Sequence, residues 1–374
     1  MSTHGESLAT DLAYWGIGPY HQALPGPFRL NLNLDGEVIA ETKTEIGFIH
    51  RSLEKTFELH PWSSALMYAD RLDPEAASFG EMAVALAIEE VAEIAVPVRA
   101  QSIRVLVNEL NRVSCHLGFL ARMAQAVGAE TLFHYALRDR ERILDQFELL
   151  TGARFSLNFF RLGGVTADVT DGFLERVLDI CEVLKIRLKE YNDLFSFNYA
   201  FLKRSRGIGV ISREQILAHG LTGPNARASG FSTDTRKSEP YSGYQLLDFP
   251  VLVENDGNGD VHSRFLIRLR EISQSTDILK QVIESIPGGS FLSQPVSKPV
   301  KPQPGEAYIK VESPRGTLGC HLVSEGGDRP SRVQFRVPSM AAIAILPEIL
   351  RGSRMEDLPV ILASLDLGIA EVDR

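Results

Sequence analysis

Cysteine is scarce in this chain of 374 residues: three occur, Cys115, Cys181 and Cys320, and no two are close enough to form a CxxC pair. Neither a disulfide framework nor a cysteine-ligated metal is indicated, and each thiol reads as an ordinary packed side chain. Long apolar runs are missing too. The AVALAI stretch near residue 85 and AAIAIL near residue 343 fall well short of the ~20 apolar residues that cross a bilayer, and no charged-then-apolar signal opens the sequence. The expectation is a soluble chain in the cytoplasm unless a partner holds it to a membrane. Positive charge is not in excess: 39 Lys and Arg stand against 48 Asp and Glu, a net charge of −9, which argues against nucleic acid as a partner. GxGxxG and GxxxxGK[ST] do not occur, Gly207-Ile208-Gly209 lacks the third glycine, and neither HExxH nor GxSxG appears.

What is present is enough apolar residue, 44% of the chain, to bury a large core. Residues 28–39 alternate apolar and polar around Asp35-Gly36, which predicts a hairpin with a positive φ in its turn. From Gly80 the period becomes helical and runs to Pro97; a second helix spans about 99–128, a third 130–150, and a fourth, capped by Thr170 or Asp171, reaches Asp193. Residues 205–260 are rich in Gly, Ser, Pro, Asp and Asn with aromatics interleaved, predicting an ordered surface excursion. A fifth helix covers about 263–286, and the proline-rich stretch 293–305 should be extended and exposed. Strands at 308–313 and 319–324 flank a Pro-Arg-Gly turn, and a short apolar helix follows. The fold class is α+β: a central bundle of long helices, a small N-terminal β element and C-terminal strands. Three regions follow: 1–56, the β element and a loop; 57–290, the bundle with 205–260 inserted; and 291–374, a C-terminal segment packing on the bundle.

On the second helix, Glu109, Arg112 and His116 share one face of an otherwise apolar segment. Buried charges need partners, so the trio reads either as an ion network tying helices together or as groups beside a redox centre. The run His50-Arg51-Ser52-Leu53-Glu54-Lys55 reads by itself as a solvated charge cluster.

Ten segments, in order and spanning nearly the whole chain, carry a family resemblance. They include GPYH (18–21), IGFIHRSLEK (46–55), YADRLD (68–73), NELNRVSCH (108–116), TGARF (151–155), RASGFSTDTRKSEPY (227–241) and SLDLGIAEVDR (364–374). The chain resembles the D-type core subunit of NADH-quinone oxidoreductase, a family similar in turn to the large subunit of nickel–iron hydrogenases. That resemblance implies a hydrogenase-like bundle. The two CxxC pairs that hold the hydrogenase metal are missing, so no metal is expected on this chain.

The resemblance implies that this subunit and a small iron–sulfur partner enclose a chamber where a quinone headgroup meets the partner's terminal cluster. FMN, NADH and the clusters would belong to other peripheral-arm subunits, membrane-arm subunits would lie below, and this chain would sit peripherally on the cytoplasmic side of the inner membrane. Arg51 would be the cation near that cluster, or else pair with Glu54 or another acidic neighbour. His21, His50, Arg51, Arg71, Asp73, Glu371, Asp373 and Arg374 are the chamber or cluster-proximal candidates. The family's usual proton-handling groups are replaced: the quinone-donor histidine by Pro25, the tyrosine by Pro74, the partnering aspartate by Ala126 and a further histidine by Ser156. Proline and alanine cannot donate a side-chain proton. His21, His60 or Tyr68 could serve instead, another acceptor could be used, or the chain could be a scaffold paralogue in a hydrogenase-related or ferredoxin-fed membrane complex.

Overall fold

The computed structural model describes residues 12–254, 256–293 and 300–374. The short polar leader, and residues 294–299 of the proline-rich stretch, lie outside the described residues. Strand β2 (Arg29–Asp35) turns into β3 (Val38–Glu45) with Asp35 opposite Val38, so Gly36 and Glu37 make a two-residue turn with Gly36 at φ 60°. Leu30 and Leu32 bury the inward face, as the alternation requires. A strand not expected from the sequence, β1 (Ala13–Ile17), pairs antiparallel with β2. Its AYWGI segment does not alternate cleanly, and Tyr14 and Trp15 stay exposed.

Two short helices, also unforeseen, follow: α1 (Leu53–Leu59) and α2 (Trp62–Ala69). Then come α3 (Ala77–Val91), α4 (Val98–Ala126) and α5 (Glu130–Thr151). The first stops well short of Pro97, because Glu93 sits in the left-handed region at φ 52° and ends the helical path. Gly80 lies where a Cβ would run into the Ala69 carbonyl oxygen, so only glycine lets α3 approach the end of α2. Helix α4 is the axis of the molecule, flanked by α3 and α5, and nearly every residue from Ile103 to Ala121 is buried.

Small strands β4 (Phe160–Arg161) and β5 (Gly164–Val165) precede α6 (Phe173–Tyr191). Gly172, not Thr170 or Asp171, occupies the N-cap of α6, and the helix widens into a π turn over Asn192–Ser196. Residues 205–260 are only partly a surface excursion. After α7 (Tyr199–Lys203) and α8 (Arg213–His219), which buries only Ile216, α9 (Gly223–Ala228) and α10 (Thr235–Ser238) thread into the interior, where Arg227, Arg236 and Tyr244 are fully buried. Helix α11 (Val261–Ser285) then packs along α4, its N-terminus capped by Asp260, whose carboxylate accepts from the Ser263 amide at 2.8 Å.

Strands β6 (Gly305–Ser313), β7 (Gly316–Ser324) and the unforeseen β8 (Arg332–Arg336) form an antiparallel sheet against α3. The chain continues through α12 (Pro338–Ala344), α13 (Leu346–Leu350), α14 (Leu358–Leu365) and α15 (Ile369–Asp373). The C-terminal segment returns to the N-terminal sheet: Ile39 donates to Ser353 and Gly352 donates to Ile39. Among the described residues no helix is long and apolar enough to cross a membrane.

Candidate functional site

A cleft of about 400 Å³ opens between the turn after β1, the C-terminal end of α4, and α14. Pro25 and Ala126 both line it, with Leu24, Pro359 and Ala363 as further apolar wall. His21, Gln22, Arg122 and Gln125 are its polar groups. The His21 Nδ1 accepts from the Ala23 amide at 3.1 Å, which places the proton of a neutral ring on Nε2 as a donor. Of the eight candidate residues, His21 alone lines this cleft.

Pro74 and Ser156 lie elsewhere. They line a crevice of only about 10 Å³, with Asn111, Ser114 and Arg140, too small for any ring. The wall between cleft and crevice is an ion pair, Arg122 to Glu75 at 2.9 Å, and Arg122 also reaches Asp366 at 2.6 Å.

His50, Asp373 and Arg374 meet at a second cleft of about 340 Å³. There Asp373 accepts from the Gly47 and Ile49 amides at 2.8 and 3.0 Å, and its carbonyl meets His50 Nδ1 at 2.6 Å. Arg51 does not pair with Glu54. It donates to the Ala370 carbonyl at 3.0 Å, while Glu54 takes Arg374 at 2.8 Å. Partial burial first, then Arg71 nearby, lowers the Arg51 pKa against the pull of Asp373. Arg71 itself projects outward and pairs with Asp70 at 3.2 Å. His60 and Tyr68 contact each other, Nε2 to hydroxyl at 3.3 Å, and line neither cleft.

Asp73 and Glu371 are buried beneath these surfaces. Asp73 is ion-paired to Arg315, which also holds Glu75 at 2.8 Å. Glu371 accepts from the Ser339 amide at 3.0 Å. Burial by itself would push Glu75 and Asp366 up, but the Arg122 and Arg315 guanidiniums outweigh it and hold both below the usual carboxylate range. Glu75, Arg122, Gln125, Arg315 and Asp366 do not stand out in the sequence. The one signal is an arginine inside the apolar run LGFLARMAQAV.

The trio on α4 splits between two partners. Glu109 accepts from Arg112 at 3.3 Å, Arg236 at 3.1 Å, Tyr244 at 2.7 Å and Ser275 at 2.6 Å. His116 instead meets Glu271 at 2.9 Å, which is held by Arg227 at 2.7 Å. Burial is the largest influence on Glu109, yet Arg112 and Arg236 overcome it and keep the carboxylate ionised. Among the described residues no group of three or more His, Cys, Asp or Glu side chains is arranged to hold a metal. Burial pushes the Cys181 and Cys320 thiols up to about 12, so neither is a ready thiolate ligand.

Bundle and cleft together define a class: a helical-bundle subunit with a dense charged interior and an open, largely apolar cleft at one end. The family described as "Respiratory-chain NADH dehydrogenase, 49 Kd subunit" matches residues 126–298 and 294–374, and the chain belongs to it. A D-type NADH-quinone oxidoreductase subunit of Chloroflexus aurantiacus is 38% identical, with 98% of this chain and 95% of that one covered. The D-type subunit of Carboxydothermus hydrogenoformans is 39% identical over 96% and 97% of the two chains. A chain in the solved structure of the membrane-bound sulfane sulfur reductase, an archaeal respiratory membrane complex, superposes with a TM-score of 0.93. It is 36% identical, covering 98% of this chain and all of that one. The hydrogenase-like α+β bundle read from the resemblance is the fold observed.

Proposed function

We propose that this chain is the core peripheral-arm subunit of an NADH-quinone oxidoreductase and forms one wall of the chamber in which a quinone headgroup is reduced beside a partner subunit's terminal iron–sulfur cluster. NADH and FMN bind in other subunits, this subunit sits peripherally on the cytoplasmic side of the inner membrane, and electron transfer is coupled to proton translocation. The carrying observation is the cleft lined by Pro25 and Ala126: it falls where the resemblance puts the donor histidine and the aspartate that partners it, and its volume of about 400 Å³ suits a ring-sized ligand. His21 and Gln125 supply neutral polar contacts there. Arg51, on the face with the second cleft, is assigned as the fixed cation that stabilises the reduced cluster.

A second reading has its own support. Proline and alanine at the donor positions, together with the likeness to a chain of the sulfane sulfur reductase complex, favour a scaffold role in a hydrogenase-related or ferredoxin-fed complex. The test is inhibitor-sensitive NADH–quinone turnover by the purified complex, with Ala126→Trp to fill the cleft. Turnover in the wild type and a loss of roughly 10²-fold in the variant, with the partner's cluster still reducible by NADH, is expected. A wild-type complex inactive towards quinones, or an unaffected variant, overturns the assignment.

A further inference from the structure

Between the cleft and the narrow crevice lies a buried cluster of carboxylates and guanidiniums. Arg122 is committed to Glu75 and Asp366. Arg315 is committed to Asp73 and Glu75, and its Nε donates to the Asp366 carbonyl at 3.0 Å. From α11, Arg268 approaches Asp366 at 3.9 Å. Arg140 on α5 faces Glu75 from the crevice, with its head on Ser114, and Cys115 on α4 contributes a neutral thiol that donates to the Glu75 carbonyl at 3.1 Å. Arg336 on β8 is directed to the Thr317 and Gly220 carbonyls.

Glu371 is the carboxyl of this region that makes no ion pair. It is 2% exposed, and among the described residues no cation stands within ion-pair distance of it. Gly368 fills the gap between it and Arg315: a Cβ there would lie 3.1 Å from Arg315 Nε and 3.3 Å from Glu371 Cγ. A buried carboxylate without a cation is unfavourable, and retaining a proton relieves it.

The same helix lies behind the turn that walls the cleft. Gly26 packs on Ile369 so closely that a Cβ would come 2.7 Å from the isoleucine Cγ1, which seats the turn carrying Leu24 and Pro25 directly on α15.

We propose that Glu371, with Asp73 on the other side of Arg315, holds one exchangeable proton and is this chain's proton store for the acceptor reduced in the cleft, taking over from the donors replaced at Pro25 and Pro74. The proposal rests on the quinone reading given above. Two electrons, passed one at a time from the partner's iron–sulfur cluster, convert the two quinone carbonyls to oxyanions, one of which is protonated from the store. The O–H bond of the carboxyl breaks, its proton moves by way of water to form an O–H bond on that oxygen, and the carboxylate is later reprotonated from solvent. The second proton enters from solvent at the cleft mouth. Electrostatics agree with this placement: burial first, and then the neighbouring Asp73, push Glu371 to about 7 against the opposing pull of Arg315, and Asp73 is itself raised by burial.

The test is made on the purified complex. Infrared titration of the protonated-carboxyl stretch should show, in the difference between wild type and Glu371→Gln, a band with a midpoint near the value of about 7, and that band should be kept in Glu371→Asp. Asp73→Asn should move the midpoint down, since a like charge is removed. In quinone turnover, Glu371→Gln should be slowed by about 10²-fold and lose the matching limb of the pH profile, with Glu371→Asp restoring both. A band unaltered in Glu371→Gln, or a pH profile identical to wild type in that variant, overturns the proposal. A wild-type complex that turns over no quinone yet keeps the titrating band counts against the quinone reading and for the proton store.

Discussion

Glu81 is a second carboxyl enclosed without a cation among the described residues, and it makes a measurable prediction. Its Oε2 accepts from the Phe159 and Phe160 amides, both at 2.8 Å, and the side chain is 1% exposed. Burial, opposed by those amides and reinforced by Asp70, pushes it up to about 7. The unfolded side chain ionises near its ordinary value, so the folded state binds the extra proton in the window between. Its contribution to stability is therefore present at acid pH and lost as pH rises through about 7. Glu81→Gln keeps an acceptor for the two amides and removes the buried charge. It should be more stable than wild type by about 1–3 kcal/mol near pH 8 and indistinguishable near pH 4. Calorimetric Tm values across that range check it; parallel curves for the two proteins would defeat it. At this scale the sequence was partly legible. Glu109, Arg112 and His116 stood out because charge on an apolar helix face is costly, but the partners Arg236, Tyr244 and Glu271 lie 127, 135 and 155 residues away in sequence. No local pattern links them.

Among elements, the long periodic helices were readable and the short ones were not. α4 and α5 carry enough turns for the 3.6 period to show, and Gly152 at φ 80° marks an end that glycine signals. α1 and α2 have 7 and 8 residues, too few to establish a period. The segment 205–260 misled for a different reason: its polar, glycine-rich composition ordinarily means surface, whereas here the polar groups face buried partners. Arg227, for example, pairs with Glu312 at 2.7 Å. The candidate site was legible only where two elements happened to carry recognisable segments, and Arg122 and Arg315 acquire their meaning from packing. The contact between the Gly26 turn and α15 gives a prediction at this scale. Gly26→Ala places a methyl 2.7 Å from Ile369, and overpacking of that kind costs about 1–3 kcal/mol. A lower Tm together with weaker quinone turnover is expected; an unchanged Tm would show that the turn and helix are not in contact.

Across the whole molecule, opposite charges are threaded through the core in place of a purely apolar filling. Glu109, Asp234, Glu271 and Asp366 are each pulled below the carboxylate range by guanidiniums that outweigh the effect of burial. Their folded values are depressed, so the stability they contribute is present above the ordinary carboxylate range of about pH 4 and is lost as pH falls below it. Acid unfolding should be cooperative and only weakly sensitive to salt, because ions do not penetrate to screen buried pairs. Fluorescence of Trp62, 1% exposed, reports the transition, and strong salt dependence of its midpoint would count against a buried origin.

The bonds from Asp373 to the Gly47 and Ile49 amides join positions 326 and 324 residues apart. While a nascent chain is still leaving the ribosome, those amides have no acceptor there, so the loop before α1 cannot settle until nearly all of the polypeptide described has emerged. Closing so long a loop is slow, and strands left waiting are prone to aggregate. Assembly with partner subunits is thus a step that follows translation, and a chaperone that shields the exposed N-terminal sheet in the interval would raise the yield of competent subunit.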